Sequence, residues 1–268
     1  VRAHRSAREE FGLSNLIRQE CGGEIAQAEL LTREPMVLCG TDWVDEVFRQ
    51  LDARVHVEWL HQDGETLPAN SVLCRLSGPA RALLTGERTT LNFLQSLSGT
   101  ATTTAQYVEC IRGTRARILD TRKTIPGLRR AQKYAVTCGG GHNHRMGLYD
   151  AVLIKENHIA AAGSITAALI AARAQAPAGT LIEIEVESLA QLEEAIQAGA
   201  TRILLDNFDL PGLRAAVSAA AGRAELEASG GITLDNLWAT AETGVDFISL
   251  GSLTKHLRAI DLSLRLKA

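Results

Sequence analysis

Four short β-rich runs, Leu181–Val186, Arg202–Leu205, Ala224–Ala228 and Asp246–Leu250, follow one another about every 20 to 22 residues. Stretches of helical spacing rich in Ala and Leu lie between and around them: Ile165–Ala174, Leu189–Ala198, Leu213–Ala221 and Leu234–Thr243. That interval is the length of one compact βα unit, and repeated units of this kind pair their strands in parallel. Two earlier runs, Ala116–Leu119 and Ala151–Ile154, extend the pattern to six strands. The rhythm therefore predicts an α/β architecture, a barrel or a doubly wound sheet. No G-x-G-x-x-G follows a strand, which argues against a dinucleotide-binding domain.

Each strand of the series ends in polar residues or glycine. The ends read Asp120-Thr121-Arg122-Lys123, Lys155-Glu156-Asn157, Glu185 with Glu183 and Glu187 in alternation, Asp206-Asn207, Ser229-Gly230-Gly231 and Gly251-Ser252. In barrel enzymes the carboxyl ends of the strands form the active face, so six chemically equipped ends point to a site. Charge is sorted along this half. Residues 112–158 hold ten Lys/Arg against three Asp/Glu, whereas residues 180–247 hold three Arg against twelve Asp/Glu. A basic rim for anions facing an acidic rim for a cation or sugar hydroxyls is the functional reading of that division.

The front of the chain reads differently. Met36–Cys39, Arg54–His61 and Ser71–Leu76 have strand character, with Asp63-Gly64-Glu65 as a hairpin turn between the last two. Thr41–Leu51 reads as a helix with Thr41 or Asp42 near its N-cap. Pro79–Leu97 reads as a longer helix with Leu83, Leu84, Leu91, Leu94 and Leu97 on its apolar side. The expected division is an α+β sandwich domain over residues 1–98 and a catalytic barrel over residues 99–268, split at Ser98-Gly99. The C-terminal tail is expected to pack back on the first domain.

Composition narrows the partners. The chain has 268 residues, 46% hydrophobic and 22% charged, with a formal net charge of −3, so its average charge favours neither nucleic acid nor a membrane. Five cysteines without a C-x-x-C pair argue against a disulfide framework and for a reducing compartment. Val1–Glu10 is charged and lacks an apolar signal core, and no apolar run nears the roughly 20 residues of a membrane helix. A cytoplasmic protein is the expectation.

Individual motifs sharpen the chemistry. Arg122 offers a planar fork that matches a carboxylate, and Lys123 beside it a mobile point charge. Cys138-Gly139-Gly140-Gly141-His142-Asn143-His144-Arg145 lets the backbone approach a ligand and then supplies donors. It reads as an anion loop, with a zinc site on Cys138, His142 and His144 as the other possibility. Lys155 at a strand end suits an anion clamp or a Schiff base, the clamp being preferred. Glu185 and Asp206 on neighbouring strand ends suit a Mg²⁺ that also touches substrate phosphates, or ribose hydroxyls. Ser229-Gly230-Gly231 and Gly251-Ser252 expose backbone N–H groups where barrels often hold a phosphate.

Several of these segments together closely resemble the quinolinate phosphoribosyltransferase family: Thr121-Arg122-Lys123-Thr124, Gly139-Gly140-Gly141-His142-Asn143-His144-Arg145, Ile154-Lys155-Glu156-Asn157-His158, Leu205-Asp206-Asn207-Phe208 and, in the front domain, Glu87-Arg88-Thr89-Thr90. The resemblance implies an incomplete or irregular α/β barrel, type II phosphoribosyltransferase-like, preceded by the α+β sandwich domain, and the reaction of quinolinate with phosphoribosyl pyrophosphate. The implied products are nicotinate mononucleotide, pyrophosphate and CO₂, in NAD biosynthesis, with Mg²⁺ as cofactor. It implies that Arg88, Thr121, Arg122, Lys123, His144, Arg145 and Lys155 bind the substrates, and that Lys123, Glu185 and Asp206 are catalytic, the two acids also holding the metal. Ser229, Gly230, Gly231, Gly251 and Ser252 would cradle the 5′-phosphate. It also implies a homodimer in which Arg88 is contributed across the interface, with a higher assembly open.

Overall fold

The computed structural model describes residues 24–267; Val1–Glu10 and Cys21 lie outside them. The chain forms two compact units. The first takes the described residues up to Ala105 together with Ile125–Gly140 and the described residues from His256 onward, and the second takes Gln106–Thr124 and Gly141–Lys255.

In the first unit an antiparallel sheet has the order β12-β1-β5-β3, where β1 is Ile25–Thr32, β3 His56–Trp59, β5 Val72–Pro79 and β12 Leu262–Lys267. The chain's last strand therefore pairs with its first described one, Leu30 opposite Leu264. One face is apolar because alternate residues point the same way: Leu30, Cys74 and Leu76 join Leu38, Phe48, Leu83, Leu94 and Ile260 in one core. A turn at Asp63-Gly64-Glu65 is present, but it does not close a hairpin. It leads into β4 (Thr66–Leu67), which pairs with β2 (Met36–Val37), and only then does β5 return to β3. Helix α1 covers Thr41–Leu51. Its N-cap is Gly40, in a left-handed conformation, rather than Thr41 or Asp42. The capping oxygens come from afar, with Asp63 accepting the N–H groups of Gly40 at 3.0 Å and Thr41 at 3.2 Å.

The second long helix, α2, covers Ala80–Cys110 and runs through Ser98-Gly99, where the sequence placed a boundary. The small residues after Gly99 are helical, and their size serves close packing. A Cβ on Gly99 would overlap the carbonyl oxygen of Arg258. A Cβ on Gly139, at the end of α3 (Arg129–Cys138), would overlap that of Ala101.

The second unit carries six parallel strands in the order β6-β11-β10-β9-β8-β7. They are β6 Arg117–Leu119, β7 Ala151–Ile154, β8 Leu181–Val186, β9 Arg202–Asp206, β10 Glu225–Ser229 and β11 Phe247–Ser249. Helices follow the strands: α4 Glu156–Ala162 and α5 Ile165–Gln175 after β7, then α6 Leu189–Gln197, α7 Leu210–Ala220, α8 Leu234–Ala241 and α9 Ser252–Lys255. Short polar caps start them close to the strand ends. Ser164, Ser188 and Asp209 accept backbone N–H groups three residues on, at 3.0, 3.3 and 2.8 Å. At the outer edge of β6 the loop before β7 runs alongside it. His142 N–H donates to Ile118 O at 2.8 Å, and Asp120 N–H to His142 O at 3.1 Å. The glycine-rich loop thus stands where a further strand of the incomplete barrel would.

Alanine in place of Gly99 would gain about 1 kcal/mol of helix propensity but lose about 1–3 kcal/mol to overpacking against a backbone carbonyl. Gly99→Ala is therefore expected to lower stability, measured as the urea midpoint. An unchanged or raised midpoint would show that the Arg258 segment yields freely.

Candidate active site

The six strand ends lie on one side of a parallel sheet, because parallel strands share a direction. The structure assembles the residues there in three groups. The first is basic. Thr121-Arg122-Lys123 forms a tight turn after β6, with Thr121 Oγ1 accepting Lys123 N–H at 3.1 Å and Thr254 Oγ1 donating to Lys123 O at 2.8 Å. Gly251 makes room for the lysine, since a Cβ there would lie 2.9 Å from Lys123 Cδ. Arg145 donates to Ala151 O at 3.2 Å. Its guanidinium is pulled below its ordinary pKa by burial and then by the charge of Arg122, so the two arginines are close enough to repel each other. A pair of cations held this way favours an anion between or beside them.

The second group is acidic. Lys155 Nζ donates to Glu185 Oε2 at 2.6 Å. Burial raises the Glu185 carboxyl above its usual range, and the charges of Asp206 and Glu156 add to that rise against the pull of Lys155. Glu185 and Asp206 therefore feel each other, as their neighbouring strands require. Asp206 accepts Asn207 Nδ2 at 2.8 Å. The alternation Glu183, Glu185, Glu187 is resolved by depth: Glu183 is buried inside, Glu185 sits at the rim and Glu187 is exposed beyond the strand.

The third group is the glycine turns. Gly230 has φ 92° and Gly231 φ 62°, a region that favours glycine. A Cβ on Gly230 would overlap Asn207 Oδ1. The Ser229–Gly231 turn is thus packed against the end of β9, with its backbone presented just before α8. Arg88 is exposed on α2 in the first unit.

Beneath the rim lies a feature absent from the sequence reading. Arg202 on β9 points into the barrel, its Cζ 3.4 Å from the centroid of the Phe247 ring. Its guanidinium donates to Glu183 Oε1 at 3.3 Å, Glu225 Oε2 at 3.2 Å and Glu227 Oε2 at 3.1 Å. His144 Nε2 is 2.8 Å from Glu183 Oε2. Burial opposes the charge of Glu183, yet the hydrogen bond from His144 and the nearby Arg202 hold its carboxyl below the usual range. Glu227 yields instead. Burial and the charge of Glu183 push it up to about 7, against His144, Ser249 and Arg202, and its Oε1 has no hydrogen-bond partner. The signal in the sequence was charge inside apolar strands, Arg202 before Ile203-Leu204-Leu205 and Glu227 between Leu226 and Ala228. Asp120 was also passed over as a site residue. Fully buried at the end of β6, it accepts His144 N–H at 2.9 Å and Asn143 Nδ2 at 3.0 Å.

The zinc alternative is corrected by these contacts. Both ring nitrogens of His144 are engaged inside the barrel, Nε2 with Glu183 and Nδ1 as acceptor of Arg145 N–H at 2.7 Å. Cys138, in the first unit, instead keeps company with Cys39 and Asp63.

Parallel strands whose carboxyl ends carry cations, paired acids and glycine turns define the class: an α/β-barrel enzyme with an α+β domain. Comparison with known proteins gives the family. The N-terminal domain of quinolinate phosphoribosyl transferase matches residues 16–98, and the C-terminal domain residues 100–265. The chain is 44% identical over 257 residues to the probable nicotinate-nucleotide pyrophosphorylase (carboxylating) of Bacillus subtilis, covering 96% of this chain and 89% of the relative. It is 45% identical over 251 residues to the Mycobacterium leprae enzyme of that name, covering 91% and 87%. The solved structure of the nicotinate-nucleotide pyrophosphorylase from Francisella tularensis superposes with a TM-score of 0.94 at 47% identity, covering 99% of this chain and 94% of that one. The chain belongs to the quinolinate phosphoribosyl transferase family.

Glu227 gives this site a pH signature in stability. An acid whose folded pKa is raised adds stability below its unfolded value, and that contribution is lost as pH rises through the folded value. Moving from 4.5 to about 7 corresponds to about 3 kcal/mol. Between pH 5 and pH 8 the wild type is expected to lose up to about that much relative to Glu227→Gln. Urea titrations at the two pH values check this, and parallel losses in both proteins would refute it.

Proposed function

We propose that the chain transfers the phosphoribosyl group of phosphoribosyl pyrophosphate to quinolinate with loss of CO₂, giving nicotinate mononucleotide and pyrophosphate for NAD biosynthesis. The observation that carries this reading is the pairing of a repelling Arg122–Arg145 couple with a Glu185–Asp206 couple at the ends of one parallel sheet. Relatives bearing the nicotinate-nucleotide pyrophosphorylase name support it.

Arg122 and Arg145 bind the carboxylates of the acid by charge-assisted hydrogen bonds. Both cations also favour the electron density left on the ring when CO₂ departs. Lys123 and Lys155 meet the phosphates of the donor, and Thr121 shapes the turn that carries Lys123. The backbone of Ser229, Gly230, Gly231, Gly251 and Ser252 receives the 5′-phosphate. The ribosyl carbon becomes cationic as pyrophosphate leaves, and Glu185 and Asp206 stabilise that charge. The same two carboxylates fit Mg²⁺: they are hard oxygen donors whose mutual repulsion a divalent cation relieves. A Mg²⁺ held by Glu185 and Asp206 would supply charge neutralisation for the leaving pyrophosphate. The working form is a homodimer in which Arg88 of each subunit completes the other's site. We place the reaction in the cytoplasm. Cys39, Cys74, Cys110 and Cys138 are free thiols, and among the described residues no helix is long and apolar enough to cross a membrane.

Incubation with quinolinate, phosphoribosyl pyrophosphate and Mg²⁺ is expected to yield nicotinate mononucleotide, and a chelator to stop it until Mg²⁺ is restored. Product from another pyridine acid but none from quinolinate would overturn the substrate. Arg122→Ala is expected to weaken quinolinate binding by about 2–5 kcal/mol in calorimetry; unchanged affinity would remove that role. Arg88→Ala mixed with Lys123→Ala is expected to recover activity as subunits exchange. Exchange without recovery would refute a shared site.

A further inference from the structure

The buried charges below the rim are not needed to touch either substrate, yet they connect to one residue that is. Arg145 N–H donates to His144 Nδ1 at 2.7 Å. A ring nitrogen that accepts from an N–H carries no proton, so the neutral imidazole must carry its proton on Nε2. That proton needs an acceptor, and Glu183 Oε2 lies 2.8 Å away. Glu183 Oε1 is in turn held by Arg202, whose fork also binds Glu227. Glu183, Arg202 and Glu227 are 1%, 7% and 0% exposed, so water cannot replace a missing partner. The main chain of the same loop is pinned from the other side, where His144 N–H donates to buried Asp120.

We propose that Glu183, Arg202 and Glu227 are positioning residues. They fix His144 in the Nε2–H tautomer, its bare Nδ1 holds the backbone of Arg145, and the guanidinium of Arg145 is thereby aimed at the carboxylate of the acid. The inference rests on the reading that Arg145 binds that acid. The opposite tautomer would set an Nδ1–H against the Arg145 N–H and leave Nε2 and Glu183 without a proton between them. Two donors facing each other release the loop, and an arginine that binds through a planar fork tolerates little misorientation. This gives a chain of contacts from the barrel interior to the rim, in which no member below His144 meets substrate.

The test has a spectroscopic and a kinetic arm. In protein labelled with ¹⁵N-histidine, with His144→Asn used for assignment, His144 is expected to show a bare Nδ1 and a protonated Nε2. A protonated Nδ1 would overturn the proposal whatever the kinetics. In Glu183→Gln, which keeps the shape and loses the charge, the KM for quinolinate is expected to rise about tenfold or more while that for phosphoribosyl pyrophosphate stays within about twofold. A parallel rise in both constants would mean general damage to the fold and overturn the role, as would no rise at all. If Glu183→Gln does not fold, Glu183→Asp, which keeps the charge and shortens its reach to His144 Nε2, is expected to raise the quinolinate KM with the same selectivity, and an equal rise in both constants or none would overturn the role. Arg145→Ala separates the two layers of the argument. An unchanged quinolinate KM there would overturn the acid-binding reading itself. A raised KM in Arg145→Ala with an unchanged one in Glu183→Gln would overturn the positioning role alone.

Discussion

Arg202 is a cation inside a barrel, and the charged interior of the second unit is arranged around it. An unpaired guanidinium there would cost several kcal/mol of lost hydration. Three glutamates and the face of Phe247 surround it instead. The grouping follows from register. In parallel pairing Glu183 stands beside Arg202, and Arg202 beside Glu225, so their side chains emerge on the same face. Glu227 enters from one step higher on β10. The interior therefore has a charged floor at this level, where other barrels stack branched aliphatic residues.

That floor sets the level of the rim. Two residues beyond Glu183 on the same strand face is Glu185, which reaches Lys155 rather than Arg202. Two residues further, Glu187 has left the strand. One alternating acidic run thus serves as buried anchor, rim carboxylate and solvent-exposed side chain, separated only by depth. The histidine loop is tied to both levels, through Glu183 below and through Asp120 and the edge of β6 at its side. The cations at the rim consequently stand on a framework of buried polar groups that bind one another, with Glu227 Oε1 left over.

The architecture was largely legible. Strand runs at Ala151–Ile154 and Leu181–Val186 match observed strands end to end: the first is a continuous apolar segment with an abrupt polar end, the second an alternation of apolar and acidic residues with the period of a strand. Thr41–Leu51 was equally clear from its periodicity. The long helix was not. Gly99 and the threonines after it have low helix propensity, and close packing of Gly99 on the Arg258 segment and of Ala101 and Thr104 on Gly139 accounts for small residues in the helix. The Asp63 turn misled for a related reason: a turn marks a reversal, and only tertiary pairing selects the strand that follows it.

The candidate site divides along the same line. The sequence by itself determined which chemistry stands at each strand end, since a parallel βα repeat delivers every strand terminus to one face. It also determined the family, through segments such as Thr121–Thr124 and Gly139–Arg145. The tertiary structure alone decided which acid of the alternating run reaches Lys155 and which pairs with His144, and that Asp120 and Glu227 matter. Those assignments depend on depth and on partners 19 to 25 residues or more away along the chain. Burial and register fix such partners, and neither is a property of local sequence.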